Sequence, residues 1–225
     1  MSETAAFAAK RDALEMYFDC TARDAWERLT SDAPVSGIRA TVRAGRDRMR
    51  ATILSWLPAD LSGKRLLDAG CGTGALAIEA ARRGATVVAI DVAAGLVDVA
   101  RERCPTGLAI EWHAGDMLDE GLGTFDHVVA MDSLIHYRPT EIVRSVERLA
   151  DRTHGSLVFT FAPQTPVLAA MHALGKFFPK GDRAPAIEPV AERLLRDMLT
   201  DRHIGRTERV ASGFYTSQAM ELLTT

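Results

Sequence analysis

The sequence predicts an α/β domain, a mostly parallel, doubly wound sheet preceded by an N-terminal helical arm. Three observations predict it. Between residues 61 and 161, short apolar and β-branched runs alternate with helical stretches, as parallel strands joined by crossover helices require. A glycine run, LLDAGCGTG over 66–74, joins the first such strand to the first such helix. Residues 1–60 read as helices. The 225 residues suffice for one domain with added segments. They divide into an arm over 1–60 and a main domain over 61–225, with a Pro-rich insertion at about 162–190.

In the arm, Ile38, Val42, Gly45, Met49, Ile53 and Trp56 form a helical stripe. Beside it Arg39, Arg43, Arg46 and Arg50 recur at spacings of four, three and four, a single basic face. Such a face is either solvated or a docking surface for an acidic substrate, an acidic partner or anionic lipid. In the main domain KRLLDAG reads as a buried strand ending near Ala69. GALAIEAARRG reads as a helix closed by Gly84, after two arginines that suit its C-terminal dipole. ATVVAID is the second strand and AAGLVDVARERC the second helix. GLAIEWHAGD, FDHVVAMD and GSLVFTFA add three strands, with a helix-like TEIVRSVERLA between the last two. After the insertion the chain ends in helix and strand patterns. Ligands of such sheets bind beyond the carboxyl ends of the strands.

The net charge of −3 argues against a general nucleic-acid binder. Cys20, Cys71 and Cys104 lack a paired metal-ligand spacing, so no protein metal site is expected. Their odd number and scatter suit a reducing compartment. MSETAAFAAKRD lacks the apolar core of a signal peptide, and no apolar run reaches about 18 residues. The expectation is a cytoplasmic protein whose membrane contact, if any, is peripheral.

The glycine loop alone is ambiguous. Gly70, Gly72 and Gly74 permit a tight turn and close ligand approach. The run also fits a relaxed dinucleotide fingerprint with Ala75 at its last position, and Asp91 could serve a ribose in either case. Asp68 discriminates. A carboxylate before the first glycine repels a pyrophosphate and attracts a cationic ligand. The constellation Asp68, Gly70, Gly72, Gly74 and Asp91 resembles the S-adenosylmethionine site of the Rossmann-like class I methyltransferases. That resemblance implies a methionine portion against Asp68 and the loop, with Cys71 in it, and a ribose on Asp91 beside Val92. Ala114-Gly115-Asp116 matches the family's adenine-contacting acid, next to Met117; read alone, Gly-Asp is common turn chemistry.

MDSLIHYRP, residues 131–139, follows the fourth strand and carries Asp132, His136 and Tyr137. Together with YFDCTARDAW (17–26), VRAGRDRMRATILSWL (42–57), FAPQTPVLAAMHALGKFFPKGDRAP (161–185) and GFYTS (213–217), it resembles the magnesium-protoporphyrin O-methyltransferases of chlorophyll and bacteriochlorophyll biosynthesis, a photosynthetic pathway. The resemblance implies methyl transfer from S-adenosylmethionine to a propionate of Mg-protoporphyrin IX, giving the monomethyl ester and S-adenosylhomocysteine, with magnesium present only in the porphyrin. It further implies a partner, the porphyrin-carrying subunit of magnesium chelatase. A propionate resembles a Glu side chain, with a pKa of about 4.3, so it arrives ionised and needs positioning rather than a base. His136 and Tyr17 are the candidates for that positioning. Trp26, Arg39, Arg43, Phe177, Phe178 and Arg183 are candidate porphyrin contacts, although Phe177 and Phe178 suit ordinary core packing equally. Asp132 either orients His136, meets the methionine ammonium or simply turns the chain, and Tyr137 is expected to pack. Two alternatives remain at this level: an O-methyltransferase acting on a phenol or quinol, for which His136 would be a base, and a non-catalytic S-adenosylmethionine-binding protein.

Overall fold

A computed structural model describes residues 3–21, 29–30, 37–164 and 186–224. The arm begins with α1 (Glu3–Met16), runs into a π-helical turn (Tyr17–Thr21), and continues after the intervening residues as α2 (Ile38–Trp56). The main domain follows as β1 (Arg65–Ala69), α3 (Ala75–Arg82), β2 (Thr86–Asp91), α4 (Ala94–Arg103), β3 (Ile110–Ala114), β4 (Phe125–Ala130), α5 (Pro139–Ala150), β5 (Thr153–Phe161), α6 (Glu192–Met198), β6 (His203–Ser212) and β7 (Tyr215–Leu223). The expected strands and helices form with ends shifted by a few residues.

The seven strands form one sheet in the order β3-β2-β1-β4-β5-β7-β6. β1 to β5 run parallel, and β7 is antiparallel to both β5 and β6. The order reverses between β1 and β4, so their carboxyl ends open a crevice at the switch point. In-register pairing sets Asp68 opposite Ala89 and Asp91 opposite Ala114, so the acids of β1 and β2 emerge at the same end of the sheet.

Side chains alternate across the sheet. Leu67, Val88, Ile90, Val128, Leu157 and Phe159 pack on one face with α5 and Leu14 of α1. Leu66, Val87, Ala89, Val129 and Val158 pack on the other with Met49 and Ile53 of α2 and with α3. Each such fully buried aliphatic side chain contributes about 1.5–3 kcal/mol, so the sheet centre, which carries the site, is the best-anchored part of the molecule. The helical stripe of α2 is buried at Gly45, Met49 and Ile53 but not at its start, where Ile38 is exposed. α2 lies against β6 and β7, bringing the arginine face towards the crevice.

The ends of the insertion are stitched together. Val190 N–H donates to Ala162 O at 2.8 Å and Gln164 N–H to Val190 O at 2.9 Å. Glu188 N–H donates to Ile135 O at 2.9 Å, so the insertion's base sits on the loop after β4.

Candidate active site

Beyond the carboxyl ends of β1, β2 and β4 lies a cavity of about 410 Å³. Its wall includes Asp68, Gly70, Cys71, Gly72, Asp91, Val92, Gly115, Asp116, Met117, Asp132 and His136. From the arm come Arg11, Phe18, Arg43, Arg46 and Arg50. Charge is unevenly distributed: Asp68, Asp91, Asp116 and Asp132 come from the sheet side and guanidiniums face them from α1 and α2, with Asp47 of α2 paired to Arg50.

The three glycines of the loop have different jobs. All have positive φ, at 88°, 52° and 81° for Gly70, Gly72 and Gly74. A Cβ on Gly74 would lie 2.5 Å from the Trp112 ring, so this glycine lets α3 approach β3, and it is not among the residues lining the cavity. A Cβ on Gly70 would lie 2.3 Å from Ser133 Cβ, so here the loop meets the segment after β4. A Cβ on Gly72 would meet nothing within 4 Å. Gly72 is therefore the glycine that keeps space open for a ligand, while Gly70 and Gly74 serve packing.

Asp68 is buried, and its Oδ2 accepts the Ala77 N–H at 3.0 Å. It thereby caps the first turn of α3, where the helix dipole favours a negative charge. Burial nevertheless raises its pKa to about 7, and the nearby Asp91 charge pushes the same way. Asp91 Oδ2 accepts Gly72 N–H at 2.8 Å and Oδ1 accepts Ala93 N–H at 3.0 Å. These bonds draw its pKa down, but burial, the larger effect, leaves it raised. A carboxylate has about four acceptor sites, so Asp91 retains capacity for a ligand diol. Asp116 is both turn residue and cavity acid: Oδ1 accepts Leu118 N–H at 2.9 Å, and Oδ2 pairs with Arg11 Nη1 at 3.0 Å. The Cys71 thiol is pushed well up by burial and by the charges of Asp91 and Asp68, which keeps it a neutral wall atom.

His136 is 8% exposed, and its Nδ1 lies 3.2 Å from the Ala186 carbonyl. A carbonyl only accepts, so Nδ1 carries the proton. In the neutral ring Nε2 is then an acceptor, and it donates only when the ring is an imidazolium. Donation through Nε2 to a positioned propionate therefore requires the charged form. Phe18 stands 6.3 Å from His136, ring centre to ring centre. In the π-helical turn it is Phe18 that lines the cavity. Tyr17 lies outside that lining, its ring edge-on to Phe18 at 5.2 Å. Tyr137 is buried in the core and also lines the cavity, and burial raises its phenol pKa.

Asp132 does not contact His136 through any bond described for it. Its carboxylate pairs with Arg46 Nη1 at 2.9 Å and accepts from Tyr215 OH at 3.1 Å, Ser217 Oγ at 3.1 Å and Thr160 Oγ1 at 3.2 Å. Arg43 lines the cavity, whereas Arg39 is exposed at the start of α2. Trp26, Phe177, Phe178 and Arg183 lie outside the described residues. Sequence reasoning missed Arg11, Phe18, Ser133 and the Asp132 network. Arg46 stood in the basic stripe and Tyr215 in GFYTS, but nothing in either pattern pairs them.

The residues present fit an S-adenosyl cofactor. Among the described residues Gly72 opens onto space and Ser133 Oγ is buried with no hydrogen-bond partner, and burial holds the Asp68 pKa up to about 7, so a cation beside it favours its charged form. An acid closing β1, an acid closing β2, a glycine turn between β1 and α3, and a reversed β7 in this strand order define a class I S-adenosylmethionine-dependent methyltransferase. A family profile described as methyltransferase domain matches residues 66–154, and one described as magnesium-protoporphyrin IX methyltransferase C-terminus matches residues 130–224. The magnesium-protoporphyrin O-methyltransferase of Rhodobacter capsulatus is 50% identical over 218 residues, covering 96% of this chain and 97% of its own. That of Synechocystis is 31% identical over 213 residues, covering 91% and 92%. The crystal structure of magnesium protoporphyrin IX methyltransferase from Synechocystis PCC 6803 with bound SAH superposes with a TM-score of 0.85 at 29% identity, covering 95% of this chain and 99% of that one. The chain belongs to the magnesium-protoporphyrin O-methyltransferase family.

Proposed function

We propose that the protein transfers a methyl group from S-adenosylmethionine to a propionate carboxylate of Mg-protoporphyrin IX, giving the monomethyl ester and S-adenosylhomocysteine. The observation that carries this reading is the cavity's uneven charge, acids on the sheet side and arginines on the α2 side, where the lining acid Asp47 is paired with Arg50. It suits a cationic donor and an anionic acceptor brought face to face.

When bound, the cofactor supplies an electrophilic methyl group on a sulfonium. Asp68 and the loop around Gly70, Cys71 and Gly72 hold its methionine portion, Asp91 and Val92 its ribose, and Gly115, Asp116 and Met117 its adenine. Asp68, whose pKa burial raises to about 7 in the free protein, is favoured as an anion when a cation enters. The acceptor carboxylate needs no base, since its ordinary pKa of about 4.3 leaves it ionised. His136 as an imidazolium donates to the oxygen that does not react, and Tyr17, outside the lining and edge-on to Phe18, contributes to the positioning through Phe18. Opposite charges are neutralised as the methyl moves, so exclusion of water by Phe18 and the arm favours the reaction.

Residues 1–60 act in this reading as a lid, and Trp26, Arg39, Arg43, Phe177, Phe178 and Arg183 contact the porphyrin. Delivery by the porphyrin-carrying subunit of magnesium chelatase and peripheral attachment to a photosynthetic membrane belong to the same proposal. Among the described residues, no helix is long and apolar enough to cross a membrane. Charge reversal at Arg39 tests the docking part: unchanged co-sedimentation with that subunit and with anionic vesicles returns Arg39 to a solvated role.

The central experiment is incubation of the purified protein with S-adenosylmethionine and Mg-protoporphyrin IX, followed by mass analysis of the pigment. The expected product carries one added methyl group. Absence of product where S-adenosylhomocysteine binds overturns the acceptor assignment.

A further inference from the structure

We propose that Arg46, aimed by Asp132, is the residue that grips the reacting carboxylate of the acceptor; the inference rests on the methyl-transfer reading above and deepens it. Three arginines of α2 line the cavity. Arg43 Nε donates to the Leu29 carbonyl at 2.8 Å, within the arm, and Arg50 Nη2 to Asp47 at 2.8 Å, within its own helix. Arg46 reaches across the crevice to the segment after β4. There Ser133, the next residue, stands against Gly70 of the cofactor loop. Among the bonds described for these three, that of Arg46 links the acceptor side to the place where the methyl donor binds.

The surroundings of Asp132 show a built support. The residue has φ 55°, a left-handed conformation that non-glycine residues rarely adopt. Such a conformation persists where neighbours over-determine it. Asp132 N–H donates to Thr160 Oγ1 at 2.7 Å, and the carboxylate receives Thr160, Tyr215 and Ser217 hydroxyls from β5 and β7. Its side chain is 4% exposed, while that of Arg46 is 23% exposed. The carboxylate is locked in the wall; the guanidinium faces the cavity. A guanidinium has five N–H donors in a rigid fork, so the bond through Nη1 to Asp132 does not exhaust its capacity to meet an incoming carboxylate.

Sharing Arg46 between two carboxylates also suits the chemistry. The acceptor loses its charge as the ester forms. An arginine without a counter-charge would bind the ionised reactant far better than the transition state or the neutral product. Asp132 weakens that ground-state preference while leaving the geometry intact, so interaction strength is not lost to uniform binding of the reactant. Burial and the Asp132 charge both raise the Tyr215 phenol pKa, so Tyr215 stays a donor to Asp132 and is not a base.

The test compares binding of Mg-protoporphyrin IX with binding of its dimethyl ester, in the presence of S-adenosylhomocysteine, by porphyrin fluorescence. Wild type is expected to prefer the diacid by about tenfold or more, the scale of one charge-assisted contact. Arg46→Gln should bring the preference close to unity, and Arg46→Lys, which keeps charge but loses the fork, should fall between. S-adenosylhomocysteine affinity should stay within about twofold in both, because Arg46 is on the acceptor side. In turnover, Asp132→Asn should lower kcat while leaving KM unchanged or lower, because the counter-charge that weakens the hold on the ionised reactant is gone. No diacid preference in wild type, or full preference in both Arg46 variants, overturns the proposal. Absence of methyl ester from wild type together with a preference lost in Arg46→Gln overturns the reaction assigned above and leaves the carboxylate grip standing.

Discussion

Gly45 of α2 and Tyr215 of β7 are in direct contact: a Cβ built on Gly45 would lie 2.4 Å from Tyr215 Cδ1. The missing side chain lets the tyrosine lie directly against the helix while its hydroxyl donates to Asp132 at 3.1 Å. One glycine thus sets both the approach of the arm helix to the sheet and the support of the carboxylate that holds Arg46.

Gly45→Ala is expected to destabilise the protein by about 1–3 kcal/mol, the usual cost of overpacking a close contact. Its effect on turnover should exceed its effect on cofactor affinity, because the displaced ring carries the Asp132 donor with it. Urea denaturation together with kinetics checks this. An alanine variant with wild-type stability and turnover would show that the contact relaxes freely.

Gly72→Ala and Gly74→Ala should separate. At Gly74 a methyl meets the Trp112 ring at 2.5 Å and the backbone has φ 81°, so this variant should lose stability by several kcal/mol, on the order of overpacking plus backbone strain. Trp112→Ala in the same chain should recover part of the loss. At Gly72 the methyl meets nothing within 4 Å among the described residues and only the φ of 52° is unfavourable, at a cost of about 1–2 kcal/mol; this variant should lose less stability than Gly74→Ala, remain folded and bind S-adenosylhomocysteine more weakly. Calorimetry on both decides.

Asp68 predicts a pH dependence with a definite sign. Its pKa rises from an ordinary 3.8 to about 7 in the folded protein, chiefly through burial. In the ligand-free protein its favourable contribution is therefore complete below the unfolded value and is lost as pH rises through about 7. S-adenosylmethionine, being cationic, should bind with an affinity that falls as pH drops below about 7 and levels off above it. Asp68→Asn should flatten that profile, weaken binding above pH 7, and raise the melting temperature of the ligand-free protein at pH 8. The lost charge at the start of α3 offsets part of the last effect. A binding profile that is flat in wild type between pH 6 and 8, measured by titration calorimetry, would refute the role of this carboxylate.

His136 predicts a second pH limb. With Nδ1–H held by the Ala186 carbonyl, only the imidazolium donates from Nε2. At saturating S-adenosylmethionine, kcat/KM for the porphyrin should fall on the alkaline side as the ring loses its proton. A base acting on a phenol or quinol would instead show activity rising with deprotonation. His136→Ala should abolish the limb and lower turnover while leaving S-adenosylhomocysteine affinity nearly unchanged. Tyr17→Phe should lower turnover likewise; a matching loss of cofactor affinity in either variant would move that residue out of the acceptor site.

What the sequence determined by itself is local or periodic. The strands of residues 61–161 are legible because apolar runs bounded by turn residues have few other uses. The acids closing β1 and β2 are legible because a glycine loop between strand and helix limits which ligand fits there. The arginine stripe is visible at helical spacing, although nothing in its period says which way it faces. Tertiary structure alone decided the remainder. It divided three similar glycines into two packing positions and one open one, because Trp112 arrives from β3 and Ser133 from the segment after β4. It turned Asp132 from a turn residue into the centre of a network, because its donors come from α2, β5 and β7. It placed Phe18, rather than Tyr17, in the cavity lining, because the arm enters a π-helical turn there. It set the proton of His136 through a carbonyl 50 residues away. These pairings span long stretches of chain, and residue spacing carries no information about contacts that only the packing of α2 and β7 against the sheet creates.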